Sequence, residues 1–353
     1  MARPGPVLLF LAAVCACLAV GCLATTVTGS EARERATLEA MPTEAAALPS
    51  LRVVYTEYTG ANIAVWMTHA ADLFRKHGLD VTLAQRNETG AFEALANDEV
   101  EVVVGSGTAA LAAAAAGTGL YFVAGLVNTS PYRLMVVPGI EDPADLRGVR
   151  LGVGRPHSAQ EEATRAALQA LGLTPGDDVP LLQIGSAAER FAALEAGVVQ
   201  GAAVVPPDTV LLARLGFQTL VDLQVRGAEA PSTQVVVAER LVREDPERVQ
   251  RFVDALLEGI ALAKHEPALA KRVLRYYLYT DDEAALDATY ALFVERLLSR
   301  TPFPPERALR QGWTRLVEQG SVTEPRPVAT LIQRHFVQAA IDSGLLGRLY
   351  DGR

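Results

Sequence analysis

Four short stretches combine glycine with hydroxyl or amide side chains just before a segment of helical period: TEYTGAN (56–62), GSGT (105–108), GRPHSA (154–159) and GSA (185–187). A helix start carries N–H groups with no partner inside the helix, and glycine lets a ligand approach them closely. Such ends favour anions and strong hydrogen-bond acceptors. Arg155 is the one cation in these loops and suits a carboxylate or sulfonate. Tyr58 and Tyr132 can wall such a site, and Asn62 and Asn128 can offer amide hydrogen bonds. Trp66, one turn after Asn62, faces either the ligand or the helix core. Plain N-capping produces the same compositions, because Ser, Thr and Asn before helices satisfy those N–H groups themselves. Their recurrence at four strand ends of one chain points to a shared site.

Catalytic patterns are weak. His157 and Ser158 are neighbours, but no GxSxG elbow surrounds them. His69 and His77 stand eight residues apart without a third ligand at metal spacing, and His265 and His335 fall in a helical tail. GVGRPH supplies only GxG, short of a dinucleotide fingerprint, and no P-loop is present. Nothing here calls for an enzyme, a metal or a cofactor. The one acid–base pair that an enzyme could use is His157 with Glu161.

The elements that must position these loops follow a regular order. Short β-branched runs alternate with longer segments of helical period, as in parallel βα units. LRVVYT, LDVTLA, VEVVVGS and LYFVAGL read as strands, with helices over 62–77, 88–98 and 108–116 between them. The first helix is expected to bury Ile63, Met67, Ala70 and Phe74. RLMVV (133–137) and VRLGVG (149–154) open a second sheet, which VPLLQI, VQGAAVV and FQTLVDL complete. STQVVVA (232–238) reads as the returning strand, and helices follow over 246–264, 268–278, 282–298, 305–319 and 328–343. The expected fold is α/β, a two-lobed clamshell with two hinge crossings and a C-terminal helical tail. Residues 51–132 and 238–353 form lobe I with the tail, and 133–237 form lobe II. Ligands bind beyond the carboxyl ends of such sheets, so facing sheets place both sets of loops in one cleft.

The N-terminus adds a location. Arg3, an apolar run from Val7 to Val20 and small residues before Cys22 follow the order of a secretory signal. Ala19-Val20-Gly21-Cys22 resembles the lipobox of bacterial lipoproteins, although Leu18 stands one place too early. In that reading residues 1–22 are the signal, Cys15 and Cys17 are discarded, and Cys22 carries lipid. The alternative is an uncleaved helix over Val7 to Ala24, long enough to span a bilayer. Residues 23–50 lack aromatics and are rich in Ala, Thr, Glu and Pro, so they read as a tether. No cysteine follows Cys22, so the exported body must be stabilised by its core. The net charge of −9 argues against a nucleic-acid partner.

Several longer segments carry a resemblance. AADLFRKHGLDVTLAQRNETGAFEALANDEVEVVVGSGTAAL, ADLRGVRLGVGRPHS, AALEAGVVQGAAVVPPD and VVVAERLVREDPERVQRFVDALLEGIALAKHEP follow one another in the order found in a known family. They are similar to ABC-transporter substrate-binding proteins of the nitrate/sulfonate/taurine type, which are related to binders of thiamine-pyrimidine precursors. The resemblance implies the periplasmic binding protein type 2 fold. It places ligand loops at Tyr58, Thr59, Gly60 and Asn62, at Thr89 and Gly90, and at Ser106, Gly107 and Thr108. It adds Asn128 and Thr129, Arg155, His157, Ser158 and Ala159, and Pro206 with Asp208. Two departures stand out: the family's glycine before the third strand is replaced around Asp98-Glu99, and its aspartate in the VDA motif is Gly201. The implied function is a monomeric, lipid-anchored receptor outside the cytoplasmic membrane that delivers a small molecule to a permease and its ATPase. A sulfonate, a carboxylate and a pyrimidine-like compound are the ligand classes. The few charges in the loops suggest a neutral or singly anionic ligand. The alternatives are an enzyme on the same scaffold acting on a small aromatic or pyrimidine-type metabolite, and a ligand-sensing receptor domain.

Overall fold

The computed structural model describes residues 47–227, 229–318, 320–322 and 327–351. Cys22, the signal-like segment and almost all of the expected tether lie outside the described residues. Among the described residues no helix is long and apolar enough to cross a membrane.

Two mixed five-stranded sheets organise the body. The first contains β1 (Ser50–Tyr55), β2 (Asp80–Gln85), β3 (Val102–Gly105), β4 (Leu120–Thr129) and β10 (Glu229–Ala238). The second contains β5 (Arg133–Val136), β6 (Leu151–Val153), β7 (Leu181–Gln183), β8 (Gly201–Val204) and β9 (Gln218–Asp222). Their orders are β2-β1-β3-β10-β4 and β7-β6-β8-β5-β9. In each, three parallel strands are extended by one antiparallel strand: β10 between β3 and β4, and β5 between β8 and β9.

The valine runs explain the first sheet. Val53 registers against Leu83 on one side and Val102 on the other. Val53, Val102, Val104, Val235 and Val237 pack on one face with Trp66 and Phe252. Val54, Val103 and Val236 pack on the opposite face with Leu111 and Trp313. Alternate residues of one strand thus enter two cores, as a sheet covered on both sides requires. The helices Ile63–Ala70 and Pro246–His265 cover the first face; Gly107–Ala115 and Glu306–Glu318 cover the second.

Three expectations change. The boundary between lobe II and lobe I, expected at 237/238, falls before β10, which hydrogen-bonds to β3 and β4. A strand apolar on both faces suits either sheet, and only its partners decide. The crossings are therefore Ser130–Tyr132 and the segment after Asp222. The helix expected over 62–77 breaks at Asp72, whose φ of 54° is left-handed. Aspartate tolerates that region because its short side chain bonds locally. The break leaves Ala70 exposed while Leu73 and Phe74 turn into the core. Finally, the helix expected over 282–298 becomes π-helical at Ala291–Leu297. Leu292 and Phe293 there pack with Leu134 and Tyr132 of the second lobe, so the tail touches both lobes.

The two departures from the family pattern acquire causes. Asp98 takes a φ of 57°, a conformation that glycine adopts without strain. At Gly201 a Cβ would stand 2.8 Å from the Met135 carbonyl oxygen, so an aspartate has no room in this sheet.

Candidate ligand-binding site

Loops from both sheets and one turn of the tail enclose a cavity of about 580 Å³. Of the sequence-predicted residues, Tyr58, Thr59, Arg155, Ser158, Pro206 and Asp208 line it. A narrow polar neck continues inward and is lined by Thr59, Asn62, Ser106, Ala159 and Tyr132. Beyond the neck a second cavity of about 320 Å³ opens beside the crossings, with Thr108 and Ala159 in its wall.

The remaining predicted residues do other work. At Gly60 a Cβ would lie 2.4 Å from the Phe293 ring, so this glycine admits the tail, and it lines none of these three cavities. Gly107 is held against Pro231 in the same way, at 2.6 Å. Thr89 is exposed, and the N–H of Gly90 donates to Asn87 Oδ1 at 3.0 Å, a helix cap. Asn128 Nδ2 donates to the Phe303 carbonyl at 2.9 Å, and Asn128 Oδ1 accepts from Gln234 at 3.1 Å; neither Asn128 nor Thr129 lines any of these three cavities. Trp66 is fully buried and stacks on Tyr277 with centroids 4.4 Å apart. The helix core holds it.

Capping also takes up the serines. Ser106 Oγ accepts from Ala109 N, Ser158 Oγ from Glu161 N, and Ser186 Oγ from Glu189 N. Ser106 Oγ in addition donates to the His157 carbonyl at 2.9 Å, a bond from the first lobe to the second. His157 has a φ of 63°, is exposed, and lines none of these three cavities. Its N–H donates to Glu161 Oε2 at 2.7 Å, and Arg165 donates to Glu161 Oε1 at 2.8 Å. Glu161 thus anchors a loop, and the His157–Glu161 pair offers no acid–base chemistry. Among the described residues no group of three or more His, Cys, Asp or Glu side chains could hold a metal ion.

The sequence names Asp208 but not the other carboxylates of the charged wall. Glu57 and Glu88 of the first lobe line the main cavity with Glu189 and Asp208 of the second, and Arg155 stands among them. Glu88 is only 5% exposed and accepts from the Ser106 N–H at 2.7 Å. Burial pushes its carboxyl up to about 7, Glu57 adds repulsion, and the Ser106 N–H and Thr56 hydroxyl oppose the rise. Burial likewise pushes Asp208 up to about 7; Arg190 opposes this and Glu57 adds to it. Tyr132, buried under the neck, is raised well above the usual phenol range, first by burial and then by Glu57. Glu88 follows the cap Asn87 directly, where an acid reads as complementing the helix dipole, so its second role leaves no mark in the sequence. Arg190 is 3% exposed within the helix Ala187–Glu195 and donates to the Gly185 carbonyl at 2.9 Å. At the rim, Tyr58 and Tyr279 meet edge to face at 6.0 Å, the latter from the tail.

The same fold occurs in several solved structures. The alkanesulfonate-binding protein SsuA of Xanthomonas axonopodis pv. citri, bound to MOPS, superposes with a TM-score of 0.68 at 20% identity, over 82% of this chain and 100% of that one. The periplasmic aliphatic sulphonate-binding protein SsuA of Escherichia coli gives 0.64 at 17%, over 82% and 99%. A desulfurization enzyme, DszB, complexed with biphenyl-2-sulfinic acid, gives 0.65 at 18%, over 84% and 99%. At these identities the likeness establishes the fold, that of the periplasmic binding proteins. The chain belongs to the family described as NMT1/THI5 like, whose model matches residues 62–270, more than half of its length. A comparison with curated protein sequences finds no match.

Proposed function

We propose that this protein is the extracytoplasmic solute-binding lipoprotein of an ABC importer. It captures a small organic molecule between its lobes and delivers it to a permease with its ATPase. The observation that carries this reading is the cavity itself, walled by strand-end loops of both sheets and roofed by the tail. A ligand that touches both lobes stabilises the closed arrangement over the open one and shifts a pre-existing balance. The protein acts as a monomer, needs no cofactor and binds no nucleic acid. Cys22 is the lipid attachment point that holds it to the membrane. The fold also serves an enzyme, DszB. The binding reading is favoured because the nominated acid–base pair, His157 with Glu161, is committed to backbone and ion-pair contacts.

The test uses the full chain produced in a bacterial host. Small molecules extracted from the purified protein are identified by mass spectrometry, then returned to it. Recovery of the same compound unchanged supports a receptor, whereas its conversion to a product overturns that reading. Separately, Cys22→Ala is expected to move the protein from the membrane fraction to the soluble one; unchanged membrane association argues for a retained helix.

A further inference from the structure

We infer that the main cavity is built for a positively charged nitrogen group, an amidine, guanidine or amine on a small molecule, held between Glu57 and Glu88 of one lobe and Asp208 of the other. This rests on the receptor reading and names the chemistry of its ligand. Four carboxylates line the wall, Glu57, Glu88, Glu189 and Asp208, against one lining cation, Arg155. Among the described residues neither the Glu57 nor the Asp208 side chain makes a hydrogen bond or ion pair. Two cations stand nearby and offset part of this charge, Arg190 acting on Asp208 and Arg155 lining the same wall. Arg190 donates to the Ile184 and Gly185 carbonyls, and the charge of Arg155 reaches the rim residue Glu189. Deeper in, Asn62 Nδ2 donates to the Glu57 carbonyl at 2.6 Å, which leaves Asn62 Oδ1 buried without a partner beside the neck.

Carboxylates and acceptors in this wall thus outnumber its one lining cation, Arg155. A sulfonate or carboxylate entering the cavity meets like charge wherever Glu57, Glu88 and Asp208 are ionised, which Coulomb's law disfavours. A cation meets three partners, and with its charge the buried carboxylates gain the counterion that burial otherwise denies them. The phenol rings of Tyr58 and Tyr279 add flat surface for a planar cation at the mouth. The inference departs from the expectation of a neutral or singly anionic ligand, which counted charge in the loops without Glu57 and Glu88. Binding is linked to protons. Glu88 faces Glu57, Thr56 and the Ser106 N–H, while Asp208 faces Arg190 and Glu57. A cation displaces protons from the raised carboxyls, so its affinity rises as pH increases through about 7. An anion would show the opposite trend.

The experiment measures thermal shift and calorimetric affinity for the full chain in detergent with three probes sharing one ring: benzamidine, benzoate and benzenesulfonate. Benzamidine is expected to raise the melting temperature and to bind about tenfold more tightly at pH 8 than at pH 6, while both anions leave the midpoint unchanged. Glu57→Gln, whose side chain has no partner in the protein, is expected to weaken benzamidine by about tenfold with the unliganded midpoint preserved; Asp208→Asn is the second variant. Tighter binding of either anion, benzamidine binding that ignores Glu57→Gln and Asp208→Asn, or no shift with any probe overturns the inference. An anion extracted from the native protein and returned unchanged overturns the charge assignment and leaves the receptor standing. Conversion of benzamidine to a product overturns the receptor and leaves the charge assignment standing.

Discussion

The two sheets share a plan and differ in what covers them. Each has three parallel strands followed by one antiparallel strand. The first is enclosed by a large core on either face, with Trp66 and Phe252 in one and Leu111 and Trp313 in the other. In the second, one face packs against the seam residues Tyr132 and Phe293, and the other rests on a small cluster around Met135, Leu194 and Leu212. Leu182, Val198 and Leu215 of that lobe stay exposed. The contrast assigns the parts: lobe I with the tail is the fixed half, and lobe II is the thinner jaw. The carboxylates follow suit, since Glu88 is locked by a backbone N–H in the first lobe and Asp208 is half-buried in the second.

The sharpest way to break this contrast is to open a hole in each half. Phe252 has no exposure and stacks on Phe74 at 5.2 Å. Phe252→Ala is expected to destabilise by about 3–5 kcal/mol, and Leu212→Ala in the small cluster by about 2–3 kcal/mol because thin surroundings collapse around the gap. Urea unfolding measures both. Equal losses would mean that the second lobe is packed as firmly as the first.

Glu88 tests the fixed half through pH. Its carboxyl lies near 7 in the folded protein against an ordinary 4.5, so between those values the folded state binds more protons than the unfolded one. Stability that is complete below about 4.5 is therefore lost as pH rises through about 7, by on the order of 3 kcal/mol. Asp208 acts in the same direction. Glu88→Gln is expected to flatten the fall of the melting temperature over this window. A slope as steep as that of the unaltered protein would sink the assignment.

The glycines separate packing from ligand binding. Gly60→Ala drives a Cβ to 2.4 Å from Phe293 and 2.5 Å from Thr289, and overpacking of this kind costs about 1–3 kcal/mol. Gly90 has only Asn87 side-chain atoms near its Cβ position, the closest at 3.5 Å, so Gly90→Ala inside a helix is expected to stabilise by up to about 1 kcal/mol. Chemical denaturation compares the two. If both substitutions are neutral, the tail does not press on the first loop as described.

That pair also shows how much was legible in the sequence. The order of strands and helices followed from valine runs and helical period, because burial dictates both patterns. The sheet to which β10 belongs did not, since its apolar residues suit either one. Tyr58, Arg155 and Asp208, named from loops at strand ends, do line the cavity. Loop positions misled at Gly60, Gly90 and Asn128, because glycine and asparagine serve tight packing and capping by the same small or polar character that suits a ligand. Glu57 stood inside a quoted loop and Glu88 beside a cap, yet convergence of carboxylates from distant segments is a property of the folded chain alone.

The smallest effect concerns the strut between jaw and tail. Arg214, at the end of the helix Asp208–Arg214, pairs with Asp282, and Asp282 also caps the helix Glu283–Tyr290 by accepting from Ala285 N at 2.9 Å. Arg214 is largely exposed, and exposed ion pairs contribute at most about 1 kcal/mol and weaken with salt. Arg214→Ala is therefore expected to change stability by about 0.5 kcal/mol, vanishing in high salt. Asp282→Ala also loses the cap and is expected to cost about 1 kcal/mol at any salt. The difference between the two isolates the cap; what Arg214 alone contributes is the grip of the tail on the second lobe. A salt-insensitive loss above about 1 kcal/mol for Arg214→Ala would show that lobe II is fastened to the tail, and a jaw so fastened is no freer than the lobe it faces.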